Sequence, residues 1–206
     1  MRLLRTLALV TAFWFAAGSA GDAGAQSLVP GGQGHFTRGQ LLVASPKMPD
    51  GRFARTVIYM VDHDARGAFG FIVNRPMGAG PMDEFMKSLD LPPGDGGEIT
   101  LHYGGPVDPG AVFVLHSAEW KDRDPVSQRG PLAVTTHPDI LKAISEGHGP
   151  RRSLVIMGYA GWGARQLEGE MARDDWITAP MDFDLIFDTD AATKWERASA
   201  KAGVAL

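Results

Sequence analysis

The chain of 206 residues contains no cysteine, so disulfide bonds and thiolate metal sites are excluded. After the first 25 residues, no segment is apolar for long enough to span a membrane. Basic residues are outnumbered, because 20 Lys and Arg face 24 Asp and Glu for a net charge of −4. An acidic chain lacks the positive surface of a nucleic-acid binder, and Arg151-Arg152 is the best candidate for a local basic patch. We therefore do not expect direct binding to nucleic acid.

Residues 1–25 have the composition of a secretory signal peptide. Arg2 and Arg5 supply the positive charge, residues 6–17 form an uncharged apolar run, and Ala23-Gly24-Ala25 matches an A-x-A cleavage site. Cleavage after Ala25 predicts a periplasmic or secreted protein. An uncleaved anchor or a misassigned start codon would account for the same run, and the second of these would leave the protein in the cytoplasm.

Residues 26–38 are predicted to form a flexible lead-in, and residues 39–206 a single domain, because this length fits one hydrophobic core. Apolar and β-branched runs predict strands at 39–44, 53–61, 68–73, 99–103, 111–116, 131–135, 153–159, 176–178 and 185–187. Helical spacing predicts helices at 81–89, 138–146, 166–173 and 191–201.

Two predicted hairpins organise these strands. The second strand pairs with the third, and the strand at 99–103 pairs with the one at 111–116. The charged segment 119–130 is predicted to be an exposed loop. Strands paired in sequence with interspersed helices favour an α+β fold over a doubly wound α/β fold.

A glycine-rich stretch, residues 158–163, joins a predicted strand to the helix that begins at Gln166. Its glycines relax the limits on backbone angles, so the sequence predicts a sharp turn. One interpretation is an anion site, because free backbone N–H groups point outward where such a turn meets a helix N-terminus. The other is a tightly packed corner for two aromatic rings. The residues concerned are Gly158, Tyr159, Gly161, Trp162 and Gly163.

Known phosphate-binding motifs do not match this stretch. No lysine follows its last glycine, as a Walker A loop requires, and its glycines lack the G-x-G-x-x-G order. Glu168 and Glu170 favour the positive end of the helix dipole, but they would oppose a bound anion. A site for a small anionic or nucleotide-like ligand at 158–163 is therefore an alternative without motif support.

Other polar groups carry weaker signals. Asn74-Arg75-Pro76 follows a predicted strand, where its side chains suit either ligand contacts or a turn cap. Asp62-His63-Asp64 contains metal-ligand types, but a site needs further ligands from elsewhere in the fold, so we predict no metal and no cofactor. His102 and His116 would face each other across the second hairpin. Since no G-x-S-x-G motif accompanies them, a serine-hydrolase triad has no support.

Several segments together resemble the AlgH/YqgE family in order and spacing, from about residue 39 to residue 202. They are Phe53–Val57, Gly67–Pro76, Tyr103–Val107, Val114–His116, Gly158–Gly163, Gln166–Glu168 and Trp176. The resemblance implies a hairpin-rich mixed sheet that is a partly closed or bifurcated barrel flanked by helices. One branch of the family is named for transcriptional regulation linked to alginate production. The family supplies no catalytic residues. Its members usually lack the signal-like segment, and this resemblance implies the cytoplasm as the alternative location.

We therefore expect a non-catalytic binding or regulatory module that contacts a protein partner or a small ligand. An enzyme acting on a small anionic substrate ranks second. Direct DNA binding ranks third, because a strand and not a recognition helix follows the helix at 138–146. The candidate ligand-contacting residues are Asn74, Arg75, Gly104, Gly105, Gly158, Tyr159, Gly161, Trp162, Gly163 and Gln166.

Overall fold

A computed structural model describes residues 36–121 and 125–204. The predicted signal peptide and most of the predicted lead-in lie outside the described residues. The described strands are β1 (Leu41–Ala44), β2 (Val57–Asp64), β3 (Gly67–Ile72), β4 (Pro76–Pro81), β5 (Glu98–Tyr103), β6 (Val107–Ser117), β7 (Ser127–Arg129), β8 (Leu132–Thr135), β9 (Ser153–Gly163) and β10 (Trp176–Ala179). The described helices are α1 (Met82–Ser88), α2 (Asp139–Ser145), α3 (Gln166–Ala172), α4 (Phe183–Phe187) and α5 (Lys194–Lys201).

The strands form one curled sheet in the order β10-β1-β2-β3-β9-β6-β8-β7. A branch leaves this path at β9, where β5 pairs with β9 and β4 pairs with β5. The β5–β9 pair is parallel, and the other described pairs are antiparallel. The predicted α+β fold, with a bifurcated mixed sheet flanked by helices, is confirmed.

Both faces of the sheet are covered by helices. On one face, α4 and α5 bury apolar side chains such as Leu185 and Trp195 against the strands. On the other face, α3 packs beside β9 and β10 through Leu167. A third cluster lies under α1 and α2 where β5, β6 and β9 meet. Alternation of side chains along each strand supplies these opposite faces. No helix among the described residues is long and apolar enough to cross a membrane.

The predicted turn at 158–163 is wrong. These residues extend β9 without a break to Gly163, and the chain turns only at Ala164 and Arg165. Arg165 takes the left-handed conformation, with φ of 63°, just before α3 begins. Gly158 permits close strand approach, because a Cβ there would lie 2.7 Å from the Gly105 carbonyl oxygen, whereas the nearest neighbours of a Cβ at Gly161 and Gly163 are the side chains of Tyr159 and Gln166.

The predicted hairpin of 99–103 with 111–116 is also wrong. The strands β5 and β6 both pair with β9 and lie on opposite sides of it. His102 therefore lies across from Ile156, whereas His116 lies across from Ser153. Local sequence favoured neighbours in the chain, but the parallel β5–β9 pair is a long-range contact that only the complete sheet produces.

Three further differences concern short elements. Leu185–Phe187 lie in helix α4 and not in a strand, because Asp182 caps the N-terminus of this helix by accepting a hydrogen bond from the Leu185 N–H at 2.9 Å.

The predicted loop at 119–130 contains β7, which pairs with β8. The sequence pattern does not predict β4, because its prolines and glycines are typical of loops. Proline is compatible with the first residue of a strand, and Pro76 occupies that position.

Candidate functional site

The sheet forks at the middle of β9. Its first half pairs with β5, with Tyr103 opposite Met157, and its second half pairs with β3, with Gly70 opposite Ala160. Gly104 bridges the two branches, because its N–H donates to the Met157 carbonyl at 2.9 Å and its carbonyl accepts from the Ile72 N–H at 3.0 Å. The fork is therefore held by backbone hydrogen bonds.

Three glycines allow the backbones to meet at this fork. A Cβ atom at Gly104 would lie 2.3 Å from the Gly158 carbonyl oxygen, and one at Gly105 would lie 2.2 Å from the Tyr159 carbonyl carbon. Gly158 itself has φ of 69°, which side chains disfavour. Each position requires glycine for packing, and the backbone is buried there.

Asn74 and Arg75 lie beside the fork and make structural hydrogen bonds. The Asn74 amide donates to the Arg55 carbonyl at 2.9 Å, and its oxygen accepts from the Val57 N–H at 2.9 Å. The Arg75 guanidinium donates to the Ala54 carbonyl at 3.1 Å. These contacts tie the residues before β2 to those after β3.

A second group of predicted site residues lies at the far end of β9. The carboxylate of Glu170 accepts the indole N–H groups of Trp162 and Trp176, both at 2.8 Å. It also accepts from the Gln166 amide at 3.0 Å, and the oxygen of that amide accepts from the Gly163 N–H at 3.1 Å. Glu170 therefore fixes α3 against β9 and β10. The sequence gives no signal for this role, because three separate elements converge on one carboxylate.

The ten predicted site residues thus fall into two groups. The fork brings together Asn74, Arg75, Gly104, Gly105, Gly158 and Tyr159, and the α3 end of β9 holds Gly161, Trp162, Gly163 and Gln166. The backbone at 160–163 pairs with β3. Because this stretch is extended strand, its N–H groups point alternately to the two edges and do not converge on one point as they do in an anion-binding turn.

Strand β4 is a structural feature that the sequence pattern does not predict. One of its edges pairs with β5, and its other edge pairs with no described strand. Nearly the whole strand is exposed, and Met77 is 60% exposed. Its sequence, Pro-Met-Gly-Ala-Gly-Pro, is uncharged. Edge strands of native proteins are usually short or charged, and here two prolines limit the open part to four residues.

The register of β4 shows which backbone groups face outward. The Met82 N–H donates to the Gly97 carbonyl at 2.9 Å, and the same register puts Ala79 opposite Thr100. Hydrogen-bonded and non-hydrogen-bonded pairs alternate in an antiparallel ladder. The N–H and carbonyl of Ala79 therefore point toward the open edge.

An apolar groove accompanies the open edge. It has a volume of about 370 Å³ and is lined by β4 and by side chains that include Glu84, Phe85, Ile99 and Leu101. Glu84 lies in the first turn of α1, and Glu98 begins β5 opposite Pro81. The groove is therefore largely apolar with the Glu84 carboxylate in its lining, and it lies next to the open backbone edge of Ala79.

Titratable groups elsewhere are engaged in the fold. Lys194 is buried and donates to the carbonyls of Val73 and Ile186, at 2.8 and 2.7 Å. Burial lowers the pKa of Lys194 to about 8. Burial also lowers the pKa of His102, and the Lys194 charge adds to this effect. The His63 ring accepts the Thr37 N–H at 3.0 Å and so anchors the start of the described chain.

The candidate basic patch at Arg151-Arg152 lines a second depression, with a volume of about 420 Å³. Glu119 occupies its rim and accepts the Arg151 backbone N–H at 2.7 Å. This hydrogen bond is the main cause that lowers the pKa of Glu119 to about 2. The carboxylate stays ionised and offsets the positive charge of the patch.

The forked sheet, the glycine contacts and the side-chain bonds define a class of α+β protein with a branched half-barrel. Residues 41–206 match the AlgH-like family model. The chain belongs to the AlgH-like family. A UPF0301 protein of Methylococcus capsulatus is 46% identical over 175 residues, which covers 84% of this chain and 96% of that relative. A UPF0301 protein of Afipia carboxidovorans is 41% identical and covers 83% and 86% of the two chains.

Solved structures show the same fold. The solution structure of the AlgH protein from Pseudomonas aeruginosa aligns with a TM-score of 0.72 and 36% identity, covering 88% of this chain and 94% of that one. A crystal structure of a protein from Corynebacterium diphtheriae aligns with a TM-score of 0.60 at 19% identity, covering 78% and 84%. The second likeness concerns the fold alone.

Proposed function

We propose that this protein is a non-catalytic binding or regulatory module that acts by holding a protein partner. The observation that carries the proposal is the open edge of β4, an uncharged and exposed strand beside an apolar groove. Exposed strand edges accept additional strands from other chains. The Asn74 side chain at the fork bonds to backbone groups, and the Glu170 carboxylate accepts from two indoles, so these polar groups are engaged within the fold.

A binder or enzyme for a small anionic or nucleotide-like ligand at 158–163 is the alternative function. It depends on free backbone N–H groups in this stretch. Pairing of β9 with β3 engages the backbone groups on one edge of residues 160–163, and Glu168 and Glu170 place negative charge on the adjacent helix. These observations favour the protein-binding function.

Photo-crosslinking in the native host tests the binding surface. We expect p-benzoylphenylalanine in place of Met77 to form a defined adduct with a host protein, because this side chain borders the open edge. The adduct should disappear when Ala79→Pro is added, since proline removes the outward N–H. Mass spectrometry of the crosslinked band identifies the partner segment.

Val126 provides the matched control, because it is also a large exposed apolar residue, at 47%, and lies next to β7. The same substitution at Val126 should give no such adduct. Identical adducts from both positions, or no adduct from Met77, would reject the proposed surface.

The compartment of the partner follows from the N-terminus. We propose that residues 1–25 are removed on export and that residues 39–206 act as one domain in the periplasm. Intact-mass measurement of the protein from fractionated cells should then show a chain that begins at Gln26. A cytosolic chain that retains Met1 would place the partner in the cytoplasm and contradict export.

A further inference from the structure

We infer that the partner of β4 is an extended, basic peptide segment that adds as a strand to the open edge and inserts an apolar side chain into the adjacent groove. This inference rests on the proposed binding function and specifies the chemistry of the partner. The backbone edge, the groove and the surrounding charge each contribute to it.

The open edge determines that the ligand is extended and short. Ala79 presents one N–H and one carbonyl outward, and prolines at positions 76 and 81 end the available strand on both sides. A strand that pairs here gains main-chain hydrogen bonds over about four residues, which is the pattern of strand addition. The open edge is too short to pair with a full-length strand of another folded sheet.

The groove determines where the ligand is apolar. Met77, Phe85 and Leu101 are among the residues that line a volume of about 370 Å³. Side chains of an added strand alternate between the two faces, so every second residue of the ligand points toward this groove. A leucine or valine at such a position would bury its side chain among these apolar groups.

Charge determines that the ligand is basic. Residues 75–98 carry five carboxylates and two cations, a net charge of −3. Glu84, Asp95 and Glu98 are exposed, and none of them forms an ion pair with another described residue. Lysine or arginine beside the apolar anchor would meet these carboxylates without displacing an internal partner.

A second copy of the chain fits this surface less well. It would bring a second net negative patch to the same edge. The open edge is also too short to bury the roughly 1,200 Å² of a stable interface by itself. A flexible basic segment carries the opposite charge and needs only a short edge, so it fits this surface better.

The experiment uses the full-length chain and three labelled eight-residue synthetic peptides. The first alternates lysine with valine and leucine, the second has glutamate in place of each lysine, and the third is the first with N-methyl groups on alternate backbone nitrogens. Fluorescence anisotropy measures affinity, and the amide NMR signals of Met77 and Ala79 locate the contact. We expect the first peptide to shift these signals and to bind at least about tenfold more tightly than either of the others.

Two charge reversals separate local charge from net charge. Glu84→Lys should weaken the basic peptide about tenfold, because attraction becomes repulsion at an exposed site. Asp184→Lys changes the net charge by the same amount in the first turn of α4 and should leave the affinity unchanged. Ala79→Pro should abolish binding, whereas Ala79→Val keeps the N–H and should retain it.

Four results would overturn the inference: equal affinity for the basic and acidic peptides, equal weakening by both charge reversals, no shift at Met77 and Ala79, or ultracentrifugation showing dimers that Ala79→Pro dissociates. In the last case the occupant is a second copy. A crosslinked adduct at Met77 together with failure of all three peptides would reject only the partner chemistry. Absence of the adduct would reject the binding surface itself.

Discussion

Gly105→Ala is expected to destabilise the protein by about 4 kcal/mol or more, which approaches the whole stability of a typical domain. The new Cβ would lie 2.2 Å from the Tyr159 carbonyl carbon and 2.3 Å from the Ala160 nitrogen. Both atoms belong to the backbone of β9, so no side-chain rotation relieves the clash. Gly105 also has φ of 150°, which alanine rarely adopts. Urea unfolding followed by tryptophan fluorescence measures the loss.

Gly110→Ala is the matched control, because Gly110 lies nearby in β6 and a Cβ there would have no neighbour within 4 Å. Its stability should remain within about 0.5 kcal/mol of the parent. If Gly105→Ala unfolded at the same urea concentration as Gly110→Ala, the fork would tolerate wider spacing and its backbone contacts would not require glycine.

Glu170→Ala is expected to lower stability by about 3 kcal/mol, because it leaves the indole N–H groups of Trp162 and Trp176 without their acceptor. Both indoles are nearly buried, so water cannot fully replace the carboxylate. Helix α3 also loses its link to β9 and β10. Urea unfolding measures the change, and the tryptophan emission of the folded state should shift as the two rings move.

Glu170→Gln distinguishes a lost acceptor from a lost charge. The glutamine carbonyl still accepts from the indoles, so this variant should lose no more than about 1 kcal/mol. Equal losses for Ala and Gln would show that the negative charge, and not the hydrogen bonds, stabilises this end of the sheet.

The secondary structure of a short segment was predictable where one local sequence pattern decides it. The hairpin of β2 and β3 followed from two β-rich runs around a charged turn, and it is confirmed. The helices at 81–89, 138–146 and 166–173 followed from helical spacing and differ from the structure only at their ends. Leu185–Phe187 show the limit, because three apolar residues suit a strand or a short helix equally and the Asp182 cap decides between them.

The candidate site was predictable only in part. Gly104, Gly105 and Gly158 are among the candidate ligand-contacting residues, and the structure brings them together at the fork. Only Gly158 belongs to the stretch for which an anion site is one interpretation, and at the fork all three glycines permit close approach of the strands. The edge of β4 gave little signal, since prolines and glycines are also typical of loops.

The sequence by itself determined the composition, the acidic charge, the absence of cysteine, the approximate order of elements and the resemblance to the AlgH/YqgE family. These properties depend on residue identity and local spacing. Only the tertiary structure decided that β9 forks between β3 and β5, that Glu170 joins two indoles, and that β4 keeps one edge open. Each of these depends on residues far apart in the chain, whose pairing is fixed when the whole sheet closes around its core and not by any single segment.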